Sequence, residues 1–241
     1  MSETITFPET FNGGIGYAQG GYIAGRLAAL VGGPAYTTFR APTPLETPLA
    51  VERKNGGVQI ITQDNVLVAE AIPREFEIKV PPCPDRAAVV AARPNYRGFK
   101  DEGGNTCYVC SPHRGPEECM QIYAAPVSKN IVASLWKPEE KYAKDGVVLP
   151  EFVWSALDCP SGFAAMIDFA EFQGPAMTGG LGAELINPIS ANEEYIATGW
   201  HMGSEGRKHS AGSAIYSLGG QLMAVAESLW IDLRQAPAAT S

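Results

Sequence analysis

Two stretches of this chain, far apart in the sequence, look like variants of one structural unit. The first covers residues 19–32 and the second covers residues 149–162, and they share leucine and glycine at corresponding positions, Leu27 with Leu157 and Gly32 with Gly162. In this alignment Ala28 corresponds to Asp158, whereas the glycine pair at residues 20–21 corresponds to proline and glutamate. Glycines in one copy and a carboxylate in the other are expected if two halves build one site, each donating a different part.

Each stretch reads as a buried helix followed by an antiparallel meander. In residues 20–31 apolar side chains recur at helical spacing, and nearly every face of this helix carries small or apolar side chains. Gly32-Gly33-Pro34 ends the helix. Strands are then predicted at residues 35–40, 49–53, 58–62 and 66–71. In the second half we predict an apolar helical segment at 152–167 and strands at 120–124, 131–136, 180–186, 195–202, 210–217 and 222–231. The recurrence of this order predicts a tandem repeat.

These patterns give an α+β chain with two similar units. We assign residues 1–80 to the first unit and residues 106–234 to the second. A proline- and glycine-rich linker with one short helix, at residues 81–105, separates them. The small, polar residues 235–241 form a flexible tail.

Charge and composition narrow the partners and the compartment. The net charge of −8 over 241 residues argues against nucleic acid, because neutralising phosphates requires a basic surface. No run of 18 apolar residues is present, so no membrane span is predicted. The first ten residues lack the pattern of a secretory signal, and five cysteines, an odd number, fit a reducing compartment. We therefore expect a cytoplasmic protein.

Three short motifs carry a family resemblance. Residues 20–24 look like the start of the central helix in thioesterase-II-like proteins, and residues 107–112 look like the opening of phenylacetate-pathway-type hotdog domains. The step Ala156-Leu157-Asp158, with Gly162 four residues later, resembles the helix that carries the catalytic carboxylate. The chain thus resembles the hotdog-fold acyl-CoA thioesterase-like superfamily in its tandem form. The resemblance implies a double hotdog, with two antiparallel sheets each wrapped around a central helix.

The same resemblance implies an acyl-CoA hydrolase with one composite site. Backbone N–H groups of Gly20 or Gly21 would polarise the thioester carbonyl, and Asp158 would act as general base or nucleophile. Asn12 matches a position where some relatives keep an orienting amide. This chemistry needs no metal or redox cofactor.

Two residues offer a further contact with the substrate. Arg207 and Lys208 lie in a polar loop and could meet a phosphate of coenzyme A. The plainer interpretation of residues 202–208 is a solvated surface loop. The unpaired edge strands of the sheets could also pair with a second copy of the chain and form a homo-oligomer.

Structural interpretations stand beside the catalytic ones. Pro160 follows Asp158 by two residues and disfavours helix there, so Asp158 could be an N-cap at a kink. A buried base would have a raised pKa and a satisfied cap a lowered one. The glycine pair could serve only close helix packing.

Other functions also stay open. Cys107, Cys110, His113 and Cys119 are zinc-ligand types, but their spacing is cramped by prolines, and buried thiols in a turn are the default. A non-catalytic acyl-binding protein is the main rival to the hydrolase. A hotdog dehydratase is a second, although its usual histidine has no match, because His201 and His209 lie far from either helix start.

Overall fold

The computed structural model describes residues 3–14, 16–101, 104–167 and 176–233. The predicted tail at 235–241 lies outside the described residues. The α-helices are α1 Gly20–Val31, α2 Arg86–Ala92 and α3 Pro150–Ala165. The strands are β1 Thr4–Ile5, β2 Ala35–Phe39, β3 Leu49–Lys54, β4 Gly57–Ile61, β5 Leu67–Pro73, β6 Ala125–Ser128, β7 Ile131–Trp136, β8 Ala143–Lys144, β9 Val147–Val148, β10 Ala176–Leu185, β11 Tyr195–Glu205, β12 Lys208–Ser217 and β13 Leu222–Asp232.

Eleven of these strands form one continuous sheet. Their order is β1-β3-β4-β5-β2-β10-β13-β12-β11-β7-β6, and all neighbours are antiparallel. The expectation of two separate sheets is therefore wrong in this detail, because β2 of the first half pairs with β10 of the second. Gly180 on β10 leaves space that the Tyr36 ring of β2 fills. The only other sheet among the described residues is the small β8-β9 pair. The division of the chain at residue 80 stays a prediction.

Helix α1 begins and ends where the sequence predicts. Gln19 is its N-cap, and its side-chain oxygen accepts a hydrogen bond from Tyr22 N at 2.7 Å. Gly32 ends it in the left-handed region, at φ 91°, which a residue without a Cβ adopts without strain. Most of the helix is buried, as its apolar surface on both faces implies.

Helix α3 runs through Pro160 without a break. Asp158 lies in the middle of the helix, so the alternative in which it is the N-cap of a restarted helix is wrong. Gly199 on β11 passes against the Pro160 backbone where any side chain would collide. Packing against the sheet thus holds a helix whose sequence locally disfavours it.

The two long helices pack closely through glycines of α1 and run in opposite senses. A Cβ added to Gly21 would lie 2.5 Å from Trp154 O, and one added to Gly25 would lie 2.6 Å from Glu151 Cα. Residues later in α1 therefore lie against residues earlier in α3. This approach brings the first turn of α1 against Asp158.

Most predicted strands are present, but residues 120–124 do not form one. This apolar run is buried as irregular chain, with Gln121 at φ 58°, and Met120 N donates to Tyr108 O and Ile122 N to Val109 O. The short strands β1, β6, β8 and β9 were not predicted. No helix within the described ranges has both the length and the apolar character to cross a membrane.

Candidate functional site

The side chain of Asp158 is the centre of a buried polar site. Its Oδ2 accepts hydrogen bonds from Gln19 Nε2 at 2.6 Å and from Gly21 N at 3.1 Å, and its Oδ1 accepts one from Thr178 Oγ1 at 3.2 Å. Asp158 is only 2% exposed. The donors come from the start of α1 and from β10, so residues of both halves hold one carboxyl group.

Gln19 is oriented by its role as the helix cap. A backbone N–H can only donate, so the bond from Tyr22 N fixes the Gln19 side-chain oxygen on that side. The amide nitrogen then faces Asp158. The cap that starts α1 therefore also positions a donor for the carboxyl group.

Burial controls the ionisation of Asp158. Loss of solvent is the main cause that raises the pKa of Asp158, the nearby Cys107 acts in the same direction, and the resulting pKa is about 7. The hydrogen bonds from Gly21, Thr178 and Gln19 act in the opposite direction, because they favour the charged form. A carboxyl group with a pKa near neutral can exchange a proton at physiological pH.

The first N–H of α1 has no hydrogen-bond acceptor within the described ranges. Gly21 N donates to Asp158, whereas Gly20 N donates to no atom of the described residues. Gly20 also lines the cavity described next. An N–H at a helix start, with its positive dipole end, stabilises negative charge on a ligand atom. Of the two predicted oxyanion donors, Gly20 is thus the one available.

A cavity of about 840 Å³ opens onto this site. That volume lies in the range of small-molecule sites. Both halves supply its walls, which include Gln19, Gly20, Ile23, Phe39, Asp158, Cys159, Phe163, Met166, Met177, Thr178 and Trp230. Arg97 and Lys100, both solvent-exposed, line it as well. The cavity therefore combines apolar walls, the buried acid Asp158, the half-buried acid Asp101 and two exposed cations.

Three of the predicted site residues lie elsewhere. Asn12 accepts a hydrogen bond from Arg114 Nη1 at 2.5 Å and donates to Thr106 Oγ1 at 3.1 Å. It lines a smaller polar cleft and does not line the cavity of Asp158. Arg207 lies in the two-residue turn between β11 and β12, and Lys208 is the first residue of β12, so the predicted loop at 202–208 is wrong except at that turn. Neither residue lines the cavity of Asp158. Their contact with a phosphate stays a prediction.

The two strand histidines also lie away from Asp158. His201 Nε2 and His209 Nδ1 each lie 2.9 Å from Ser204 Oγ, and neither ring lines the cavity. The described part of the site therefore lacks the histidine that the dehydratase interpretation requires.

The cysteines assemble differently from the sequence pattern. Cys107 and Cys110 lie beside Cys159 of α3, and all three line the cavity. His113 Nε2 lies 3.0 Å from Asp101 O, and Cys119 Sγ donates to Ser111 O, so neither joins this group.

Sequence reasoning missed Gln19, Thr178 and the two cations Arg97 and Lys100. Gln19 carried a usable signal, because it occupies the N-cap position just before the glycine pair. Thr178 carried none, since one threonine in a strand does not reveal which neighbour its hydroxyl meets. Arg97 and Lys100 lie in the predicted linker, whose path over the site depends on tertiary structure.

Solved structures share this architecture over nearly the whole chain. The tesB protein of Mycobacterium avium subsp. paratuberculosis aligns with TM-score 0.59 and 13% identity, covering 96% of this chain and 92% of that one. The acyl-CoA thioesterase II TesB2 of Mycobacterium marinum aligns with TM-score 0.59 and 12% identity, covering 98% and 93%. A hotdog-fold protein of unknown function from Alicyclobacillus acidocaldarius gives 0.59 and 15%, with the same coverage.

These similarities establish the fold. No protein-family model matches the sequence, and no curated protein matches it at a significant level. The chain has the double hotdog fold of the TesB-type structures, as the sequence motifs predict. At 12–15% identity the likeness does not extend to a particular activity.

Proposed function

We propose that this protein hydrolyses acyl thioesters, with acyl-CoA as the substrate class, at one site shared by its two halves. One observation carries the proposal: a buried carboxyl group, held by three donors, faces a mostly apolar cavity. Beside it lies a helix-start N–H that has no acceptor in the part of the chain that the structure describes. A base, an oxyanion donor and space for an acyl chain are the parts that thioester hydrolysis requires.

In the proposed reaction Asp158 removes a proton from water, and the resulting hydroxide adds to the thioester carbonyl carbon. Gly20 N–H stabilises the oxyanion that forms. Collapse of the intermediate breaks the carbon–sulfur bond, and the leaving thiolate takes the proton from Asp158. The products are a carboxylic acid and free coenzyme A. Gln19 and Thr178 position the carboxyl group and keep its pKa from rising further.

The surroundings of the site support this substrate class. The apolar walls suit an acyl chain, and the exposed Arg97 and Lys100 suit the phosphates of coenzyme A. Because these cations line the cavity, they are stronger candidates for phosphate contact than Arg207 and Lys208.

The test is hydrolysis of acyl-CoAs of graded chain length by the purified protein, with free coenzyme A quantified by chromatography. Turnover of at least one chain length is expected, with a preference set by the cavity volume. Tight binding of acyl-CoA without turnover would instead identify the non-catalytic acyl-binding protein. Absence of both binding and turnover across the panel would contradict a thioester site.

The rate should depend on the ionisation of Asp158. Because the base must be unprotonated and its pKa is raised to about 7, we expect kcat/KM to rise tenfold per pH unit below 7 and to level off above it. Cys107 is the titratable neighbour that raises this pKa. Initial rates from pH 5 to 9 in buffers of constant ionic strength measure the profile, and a profile flat across neutral pH would contradict this assignment.

A second variant tests how Thr178 controls that profile. The Thr178→Val substitution removes a hydrogen bond that lowers the pKa of Asp158 while keeping the side-chain shape. We expect the midpoint of the profile to move to higher pH, with a rate loss of roughly tenfold or less on the plateau, since one neutral hydrogen bond contributes about 0.5–1.5 kcal/mol.

Thr37→Val is the matched control. Thr37 lies on β2 and is fully buried, and its hydroxyl has no hydrogen-bond partner among the described residues. This variant should leave the midpoint unchanged. Equal shifts in both variants would mean that Thr178 acts only through general packing.

A further inference from the structure

Three thiols form a compact cluster beside the cavity. The sulfur atoms of Cys107, Cys110 and Cys159 all lie within 4.8 Å of one another, and those of Cys107 and Cys159 are 3.8 Å apart. All three residues are buried, yet each contributes to the cavity wall. The proposed hydrolysis uses none of them.

The spacing of the sulfurs fits a metal ion. Three ligands about 2.3 Å from a tetrahedral zinc ion lie roughly 3.8 Å apart. The Cys107–Cys159 distance of 3.8 Å already equals that value, and the other two distances are at most 4.8 Å. Two ligands come from one loop and the third from a helix.

The local structure holds the loop ligands in place. Asn105 Oδ1 accepts from Cys107 N at 3.0 Å, and Asn105 Nδ2 donates to Cys110 Sγ at 3.7 Å. Tyr96 Oη donates to Cys110 O at 2.7 Å, and Ser111 N donates to Cys107 O at 2.9 Å. Hydrogen bonds to ligand residues and their backbone orient the sulfurs before a metal arrives.

We propose that Cys107, Cys110 and Cys159 form a binding site for a thiophilic divalent cation, with Zn²⁺ as the reference ion. The three sulfurs supply three coordination positions, and the fourth faces the cavity, where a water molecule can occupy it. Oxygen-preferring ions such as Mg²⁺ and Ca²⁺ are excluded by an all-sulfur ligand set. This site differs from the cramped sequence motif, because Cys159 replaces His113 and Cys119.

The experiment is a zinc titration of the full chain, stripped with a chelator and kept reduced with a phosphine. A chromogenic chelator competes for Zn²⁺ and reports the bound fraction. We expect one Zn²⁺ per chain with a Kd below about 100 nM. Co²⁺ added in place of Zn²⁺ should give a near-ultraviolet band from thiolate-to-metal charge transfer.

Serine variants assign the ligands. Cys107→Ser, Cys110→Ser and Cys159→Ser should each weaken binding at least about a hundredfold, since loss of even an outer-shell partner costs 10- to 100-fold. Cys83→Ser and Cys119→Ser are the matched controls and should bind as the wild type does, because neither sulfur belongs to the cluster. Asp158→Asn should also retain zinc, which separates this site from the proposed hydrolysis.

A measurement on the wild type tests the proposal even if a serine variant fails to fold. Bound Zn²⁺ should slow alkylation of the three cluster thiols by iodoacetamide, located by peptide mass, and leave Cys83 unchanged. The proposal would be overturned by any of three results. These are the absence of one-to-one binding, a zinc affinity that depends on Cys83 or Cys119, and a Cys107–Cys159 disulfide that persists under the reductant.

Discussion

The Asp158→Asn protein is expected to lose about 10²–10⁴-fold in kcat toward acyl-CoA, the range for removal of a general base. An amide cannot take the proton from water, yet it matches the shape of the carboxyl group. Its oxygen can accept from Gln19 and Gly21 where Oδ2 does now, and its nitrogen can donate to Thr178 Oγ1. Steady-state rates at pH 8 measure the loss.

Folding and non-specific effects can be separated from this loss. The pKa of Asp158 is raised in the folded state, so its contribution to stability is full below the unfolded pKa and is lost as pH rises through about 7. At pH 8 the Asn variant should therefore unfold at no lower temperature than the wild type. Asp64→Asn, on an exposed turn, is the matched control and should keep full activity. Undiminished turnover in the Asp158 variant would rule out its role as base.

The Gly21→Ala protein is expected to lose about 1–3 kcal/mol of folding free energy, the usual cost of overpacking a close interface. Its new methyl group would lie 2.5 Å from Trp154 O and 2.7 Å from Ser155 Cα, both backbone atoms of α3. Because backbone yields less readily than a side chain, the helices must separate. Thermal unfolding should show a fall of roughly 2–4 °C for each kcal/mol lost.

The separation should also reduce turnover, since Gly21 N donates to Asp158. Gly33→Ala is the matched control, because a Cβ there meets no atom within 4 Å and its backbone is not left-handed. Gly25→Ala should destabilise similarly through its contact with Glu151, one turn further from the carboxyl group. A Gly21 variant as stable as the Gly33 variant would contradict the close helix approach.

The helices and the acid could be predicted from sequence because their signals are local. Helix α1 has apolar periodicity and a glycine-proline stop, which need no tertiary information. The mismatch between Ala28 and Asp158 identified the acid, because it compared two copies of one unit. The predicted strand at residues 120–124 is wrong for the opposite reason, because non-local contacts decide the structure there. An apolar run specifies burial, and here hydrogen bonds to the loop at 108–109 replace a strand ladder.

The partners of the acid could not be predicted in the same way. Gln19 contacts Asp158 only once α1 packs on α3, and Thr178 contacts it only once β10 packs beside these helices. The third thiol shows the same limit, since Cys159 joins a loop 52 residues away in sequence. Motif spacing reports ligands on one segment, whereas the residues of both sites here come from segments that are far apart in the chain. The joined sheet escaped prediction because the β2–β10 pairing is also a long-range contact.

The proline at the start of α3 has a consequence for binding stoichiometry. In the alignment of the two helices Pro150 stands where Gly20 stands, and Ala28 stands where Asp158 stands. A proline has no N–H to offer a carbonyl oxygen, and an alanine has no acid to offer water. The two similar helices therefore give one site that has both an N–H donor and an acid, and a second, corresponding position that lacks both. A non-hydrolysable acyl-CoA analogue should saturate this protein at one molecule per chain.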